Sequence, residues 1–218
     1  MKHSGKENIM AQDKAASWLY TEEAVFDTDT ARTARENAAE LGIEALAVSV
    51  CTFLRTLASL PSVRAIAEVG TGTGVSGLAL LSASDDSSLT SIDIEPVAQN
   101  AAREAFTAAG IRSARYRLIN GRSADLLPRL AANSYDLVIL DGDPLEAAGD
   151  AEEALRMLRS GGMLVLAHAL NHDLVADPVR RDAVTVALRD LGHELLADER
   201  ITASLLPISD GILFGVKA

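Results

Sequence analysis

From residue 64 onward the chain alternates short apolar runs with longer amphipathic ones, and this alternation restricts its fold more than any other feature. RAIAEVG, LTSIDIE, RYRLIN, YDLVILD and MLVLAHA read as strands. GVSGLALLSAS, PVAQNAAREAFTAAG, SADLLPRLAA, EEALRMLRSGG and DPVRRDAVTVALRDLG read as the helices that follow them. Pro96 suits the first turn of its helix and Gly110 the position just past its end. Asp177 and Pro178 look like the cap and first turn of the last helix, which should stop at Gly192. Parallel neighbours need a long crossover, so strands alternating with helices predict an α/β fold with a parallel sheet covered on both faces. The last two β segments, HELLADERI and SDGILFGVKA, have no helix between them and should pair antiparallel at an edge. Upstream, TDTARTARENAAELG stops at Gly42, and EALAVSVCTFLRTLASL ends before Pro61. They form an N-terminal helical extension, preceded by about fourteen polar residues expected to fray. A length of 218 residues suits one domain, with residues 15–60 as a helical lid and 61–218 as the core.

The first strand runs into AEVGTGTGVSG, whose Gly70, Gly72, Gly74 and Gly77 permit two readings. Gly72 to Gly77 fit G-x-G-x-x-G, the dinucleotide fingerprint. Glu68 to Gly74 fit the E/D-x-G-x-G-x-G loop of S-adenosylmethionine enzymes. In both, glycines let backbone approach a ligand and the next helix N-terminus favours an anionic group. Asp93, ending the second strand, suits ribose hydroxyls in either reading. Three features favour the second. Glu68 lies within a buried strand and needs a partner, such as a cofactor ammonium or backbone donors. Asp141 and Asp143 end the fourth strand at the same crevice. The antiparallel close of the chain is not required by a dinucleotide domain.

The net charge of −11 argues against nucleic-acid and anionic membrane surfaces. The lone Cys51 cannot form an internal disulfide and reads as a core residue in a reducing compartment. No apolar run is long enough to span a bilayer and the N-terminus lacks a signal-peptide core, so a cytoplasmic location is expected.

AIAEVGTGTGVSGLALL, LTSIDIEPVAQNAAREAFTAAGI, SYDLVILDGDP and LRSGGMLVLAHA together resemble the small S-adenosylmethionine-dependent O-methyltransferases related to catechol and caffeoyl-CoA O-methyltransferases, especially their actinobacterial members. The resemblance spans roughly residues 40–218. It implies a Rossmann-like seven-stranded sheet, mostly parallel with the last strand antiparallel, and often a homodimer. It implies that Glu68, Gly70, Thr71, Gly72 and Ser76 surround the methionine part of the cofactor. Asp93 would hold the ribose, Ser123 would lie near the adenine, and Leu46 would give backbone contacts. Asp141 and Asp143 would floor the space between cofactor and a small-molecule acceptor.

The pattern breaks where the family activates its acceptor. A phenol is mostly protonated at neutral pH, and the family uses a divalent metal on carboxylate and amide oxygens plus a lysine base. Its familiar Asp-Ala-Asp-Lys is here Asp141-Gly142-Asp143-Pro144, and its Asp-Asn pair falls on Ala167-His168. Of three metal ligands only Asp141 stands, so Mg²⁺ should be neither tightly bound nor required. His168 and His172 lie opposite Asp141 and Asp143. His168 reads as a general base, as part of a site for a softer metal such as Zn²⁺, or as a loop histidine facing water. Trp18, Tyr20 and Phe26 suit either an apolar acceptor or a staple holding the arm to the core or across a dimer. A cofactor-binding protein without turnover and an NAD-dependent oxidoreductase are the alternatives.

Overall fold

The computed structural model describes residues 16–25 and 27–218; the expected fraying of the first residues and the role of Phe26 lie outside the described residues. Residues 16–23 are helical. Helix α1 (Asp29–Glu40) begins at Thr28, whose hydroxyl accepts the Ala31 N–H, and ends before Gly42 at φ +68°. Helix α2 spans Val48–Ala58. It starts later than its sequence suggests because residues 43–47 are held out of it: the Arg35 guanidinium binds the Leu46 carbonyl. Glu22 then supplies the start that Ala47 cannot, accepting the Ser49 N–H at 3.2 Å, a favourable place for a carboxylate.

The core follows as β1 (Ala65–Val69), α3 (Val75–Ser82), β2 (Ser88–Asp93), α4 (Pro96–Ala108), β3 (Tyr116–Asn120), α5 (Ser123–Leu126), β4 (Tyr135–Leu140), α6 (Ala147–Met157), β5 (Leu158–Leu166), α7 (Ala183–Ala197), β6 (Ile201–Leu206) and β7 (Ile212–Lys217). The seven strands lie in the order β3-β2-β1-β4-β5-β7-β6. Strands β1 to β5 are parallel, and β7 runs antiparallel to both β5 and β6. The closing pair is antiparallel as expected, but only β6 is an edge; β7 is inserted beside β5. Alternate strand residues feed two cores. Ile66, Leu137, Ile139, Met163 and Val165 pack on the side of α1 to α4. Ala67, Val138, Leu140, Leu164 and Leu166 pack on the side of α6 and α7. Burial on both faces is why these strands read as continuous apolar runs.

Further boundaries in the core differ from expectation. LRSGG does not continue α6: β5 already begins at Leu158, paired with Tyr135, and the register then jumps to Leu137 with Met163. The intervening residues form a bulge with Gly161 at φ +74°, the conformation glycine supplies without strain. Nor does α7 stop at Gly192. Its core face continues through Leu188, Leu191 and Leu195, and burying one leucine, about 1.5–3 kcal/mol, outweighs the roughly 1 kcal/mol cost of a helical glycine. The segment HELLADERI is therefore helix as far as Ala197. The start of α7 moves too: Asp182 caps it by accepting the Thr185 N–H at 2.9 Å. Asp177 instead accepts the Val179 N–H in the preceding turn.

Trp18 and Tyr20 are 48% and 74% exposed, so neither staples its helix to the core of its own chain.

Phe106 on α4 is fully buried and meets Tyr116 edge to face at 4.9 Å. It also presses on α3: a Cβ on Gly77 would lie 2.5 Å from its ring. Helix propensity alone favours alanine over glycine by about 1 kcal/mol, whereas overpacking a closed core costs about 1–3 kcal/mol. The second effect should win, because the ring has nowhere to go. Gly77→Ala is expected to lower the stability read by denaturant unfolding; an increase would mean that this contact yields.

Candidate active site

Strand order reverses between β1 and β4, so the helices after them leave on opposite faces and a crevice opens at the strands' carboxyl ends. The turn out of β1 passes very close to β4. A Cβ on Gly70, at φ +94°, would fall 2.1 Å from the Asp141 carbonyl oxygen. Gly74 at φ +89° then starts α3. Thr73 fastens this loop to α1 by donating its hydroxyl to the Ala34 carbonyl at 2.7 Å.

A cavity of about 280 Å³ fills the crevice, walled by residues from 43–46, 70–76, 140–147 and 166–172 together with Asp210. Leu46, Gly70, Thr71, Gly72, Ser76, Asp141, Asp143 and His168 all stand on its wall, as do Pro144, Ala167 and His172. Glu68, Asp93 and Ser123 are not part of that wall. Asp93 braces the loop, accepting the Gly72 N–H at 2.7 Å and the Glu95 N–H at 2.8 Å. Ser123 donates to Glu146 at 3.3 Å. The Leu46 carbonyl is already taken by Arg35.

Glu68 ends a buried chain of hydrogen bonds that the sequence did not reveal. Gln99 donates to the Thr71 hydroxyl at 3.2 Å, Thr71 and Ser91 pair at 2.7 Å, and Ser91 donates to Glu68 at 2.6 Å. The register that sets Ser91 opposite Glu68 builds it. The other Glu68 oxygen, Oε1, has no partner among the described residues. Burial pushes this carboxyl up to about 7 against the pull of the Ser76 and Ser91 hydroxyls.

On the wall itself the charges are one-sided. Glu44, Asp141, Asp143, Asp150 and Asp210 contribute carboxylates, while the described lining holds no lysine or arginine. Burial, reinforced by Glu68, Glu44 and Asp93, holds the Asp141 carboxyl well above the usual range. Asp150 on α6 is pushed up to about 6 by burial, with Glu146 and Asp143 adding to it and the Ser123 hydroxyl opposing.

His168 stands between two carboxylates. Its Nδ1 lies 3.0 Å from Asp210 Oδ2 and its Nε2 lies 3.4 Å from Asp141 Oδ1. The ring is therefore not simply turned to water: 27% of it remains exposed. His172 is looser, 61% exposed, and sits 3.8 Å from Glu44 and 3.7 Å from Asp210. Among the described residues no group of three or more His, Cys, Asp or Glu side chains is arranged to hold a metal ion. Where the resemblance read from the sequence would place an Asp-Asn pair of metal ligands, Ala167 has no donor atom and His168 offers an imidazole, whereas Mg²⁺ prefers an oxygen shell. Asp210 went unnoticed in the sequence because it lies 69 residues beyond Asp141 and reaches the site only through the placement of β7.

A parallel sheet with a glycine loop at its reversal point, closed by one antiparallel strand slotted inside the edge, defines a methyltransferase-type Rossmann-like fold. A family profile described as O-methyltransferase matches residues 20–218. A probable O-methyltransferase of Mycobacterium tuberculosis is 44% identical over 201 residues, covering 92% of this chain and 90% of that protein. A solved structure from Corynebacterium glutamicum is 34% identical with a TM-score of 0.85, covering 94% of this chain and 97% of that one. The O-methyltransferase TomG of Streptomyces achromogenes, solved in complex with S-adenosylmethionine, shares the fold at 24% identity and a TM-score of 0.81, covering 89% and 92%. The chain belongs to the O-methyltransferase family, which sets aside the oxidoreductase alternative.

The raised carboxyls give the folded protein a distinct pH response. Glu68 keeps its proton in the folded chain up to about pH 7 but releases it near 4.5 when unfolded. The folded state thus binds more protons across that window, and stability falls as pH rises through it. The shift corresponds to a loss on the order of 3 kcal/mol above the window. Glu68→Gln is expected to remove that share, narrowing the difference in unfolding free energy between pH 4.5 and 7.5. An unchanged difference would show that Glu68 is not the group responsible.

Proposed function

We propose that the protein transfers a methyl group from S-adenosylmethionine to a hydroxyl oxygen of a small acceptor, with His168 as general base and without need of Mg²⁺. The observation that carries this reading is the imidazole held between Asp210 and Asp141 on the wall of the cavity. When bound, S-adenosylmethionine supplies a methyl group made electrophilic by its sulfonium. The one-sided charge supports this cofactor: carboxylates facing the cavity favour a cation and oppose a pyrophosphate. Gly70, Thr71 and Gly72, with Ser76 in the first turn of α3, hold its amino-acid end, and Glu68 supports that loop from behind. Asp93 serves the ribose, Ser123 the adenine side and Leu46 the flank, while Asp143 floors the cavity beside Asp141.

The acceptor hydroxyl then lies against His168 and Asp141. Asp210 accepts a hydrogen bond from Nδ1–H, which leaves the Nε2 lone pair to take the hydroxyl proton as the oxygen gains its methyl group. Positive charge on the ring is stabilised by Asp210. Methyl transfer is an in-line displacement, so holding the partners in line supplies the remainder of the rate. We read residues 1–218 as one catalytic domain. Residues 15–60 form a lid over the acceptor, with Trp18 and Tyr20 free to meet an aromatic acceptor or a second copy in a homodimer. No described helix is long and apolar enough to cross a membrane, and the single buried Cys51 suits work in a reducing cytoplasm.

Titration calorimetry with S-adenosylhomocysteine is expected to give the same affinity in EDTA as in Mg²⁺, with no heat from NADH. Loss of binding in EDTA would refute metal independence at the cofactor step, and binding of NADH would refute the cofactor assignment. His168→Ala is expected to lower kcat by about 10²-fold or more while S-adenosylhomocysteine affinity stays within about two-fold. Full turnover in that variant would remove the base role, and a protein that binds the cofactor but methylates no acceptor would support binding without turnover.

A further inference from the structure

The turn that carries His168 is gripped by a second turn through backbone and side-chain hydrogen bonds. Residues 168 to 173 follow β5, and His168, Asn171, His172 and Asp173 all have positive φ, His168 at +52°. Residues 209 to 211 lead into β7, with Ser209 at φ +48° and Gly211 at +85°. Gly211 is closely fitted: a Cβ there would lie 2.3 Å from Leu170 Cγ. The Gly211 carbonyl accepts the Ala169 N–H and the Asp210 carbonyl accepts the Leu170 N–H, each at 3.0 Å. The Asp210 side chain completes the grip. Its Oδ1 accepts the His172 N–H, and its Oδ2 meets His168 Nδ1 at 3.0 Å. With 12% of its side chain exposed and both oxygens engaged, Asp210 has one orientation.

The two carboxylates beside the imidazole are thereby unequal. Asp210 is fixed by a backbone donor and lies at hydrogen-bond distance. Asp141 has no backbone donor on its side chain among the described hydrogen bonds, and 3.4 Å to Nε2 exceeds the usual N–H···O range. The other charged groups around the ring, His172 and Glu44, lie on the exposed rim. An ionised carboxylate only accepts hydrogen bonds, so a fixed Asp210 demands a proton on Nδ1.

From this juxtaposition we infer that Asp210 is the positioning residue of the site: it fixes His168 as the Nδ1–H tautomer and aims Nε2 into the cavity. The inference deepens the proposed base role and rests on it for its catalytic consequence. Its structural content stands independently, because the tautomer is a property of the resting protein. An asparagine at 210 keeps the size and can still hold the His172 N–H. Its amide can also donate to Nδ1, which places the ring proton on Nε2 and leaves no lone pair for the acceptor.

The test is ¹⁵N NMR of the full-length protein at about pH 8.5, where a histidine is read in its neutral form, with the His168 signals assigned by their loss in His168→Ala. The wild type is expected to show His168 protonated at Nδ1, and Asp210→Asn is expected to move it toward the Nε2–H form. In parallel, Asp210→Asn is expected to lower kcat by about 10²-fold or more, with KM for S-adenosylmethionine within about two-fold. A disturbed turn would not by itself exchange the tautomer, so this pair of readouts separates positioning from mere support. Wild-type His168 protonated at Nε2 overturns the inference even if the variant does not fold, as does an unchanged tautomer in a folded variant. A tautomer exchange in Asp210→Asn with His168→Ala fully active would uphold the positioning contact and refute the base role alone.

Discussion

The Asp141 carbonyl stands where a side chain on residue 70 would have to be, and most of the site follows from that closeness. It brings the carboxyl ends of β1 and β4 within backbone contact, with Asp141 donating its N–H to the Val69 carbonyl at 2.9 Å. Only glycine fits at position 70, with positive φ and no Cβ. The loop must then turn at once toward α3. Asp93 holds its far side through the Gly72 N–H, and Thr73 ties it to α1. One steric condition thus fixes the loop against the carboxylate across the crevice.

Beneath the loop lies a polar chain where an apolar core would be cheaper. Burying Glu68 and leaving Oε1 without a described partner costs stability, and the cost is of the kind that accompanies functional sites. The Gln99–Thr71–Ser91–Glu68 series links α4, the loop, β2 and β1 into one hydrogen-bonded unit. Its direction is set at the Gln99 end, where the side-chain NH₂ can only donate to Thr71. Thr71 on the cavity wall therefore has its hydroxyl spoken for from behind, leaving its backbone to face a ligand.

The layered α/β architecture was legible because strand period, glycine loop and helix lengths all agreed. The cavity wall was legible wherever a residue belonged to a strand end or to the glycine loop, as with Gly70, Asp141 and His168. Errors came where local signals competed with packing. Gly192 looked like a helix stop, yet Leu195 one turn later held the helix on its core. The glycines of LRSGG looked like a helix end and are a bulge within β5. Asp210, Ser91 and Gln99 were invisible for a different reason: their importance depends on strand register and on β7 lying beside β5, which no local spacing encodes. Ser123 and Glu68 carry the reverse lesson. The motifs single both out, yet neither lines the cavity.

The left-handed backbone at residue 168 narrows the alphabet available there. Most side chains clash in that region, and β-branched ones are excluded most firmly, whereas asparagine, aspartate and histidine adopt it at modest cost. The resemblance read from the sequence would put an asparagine here, and this chain has His168. Asparagine and histidine both tolerate this region, so such an exchange would replace an oxygen donor with an imidazole without requiring a new backbone. A turn that suits an oxygen donor thus also accepts an imidazole, the group proposed above as the base, with no new loop to invent.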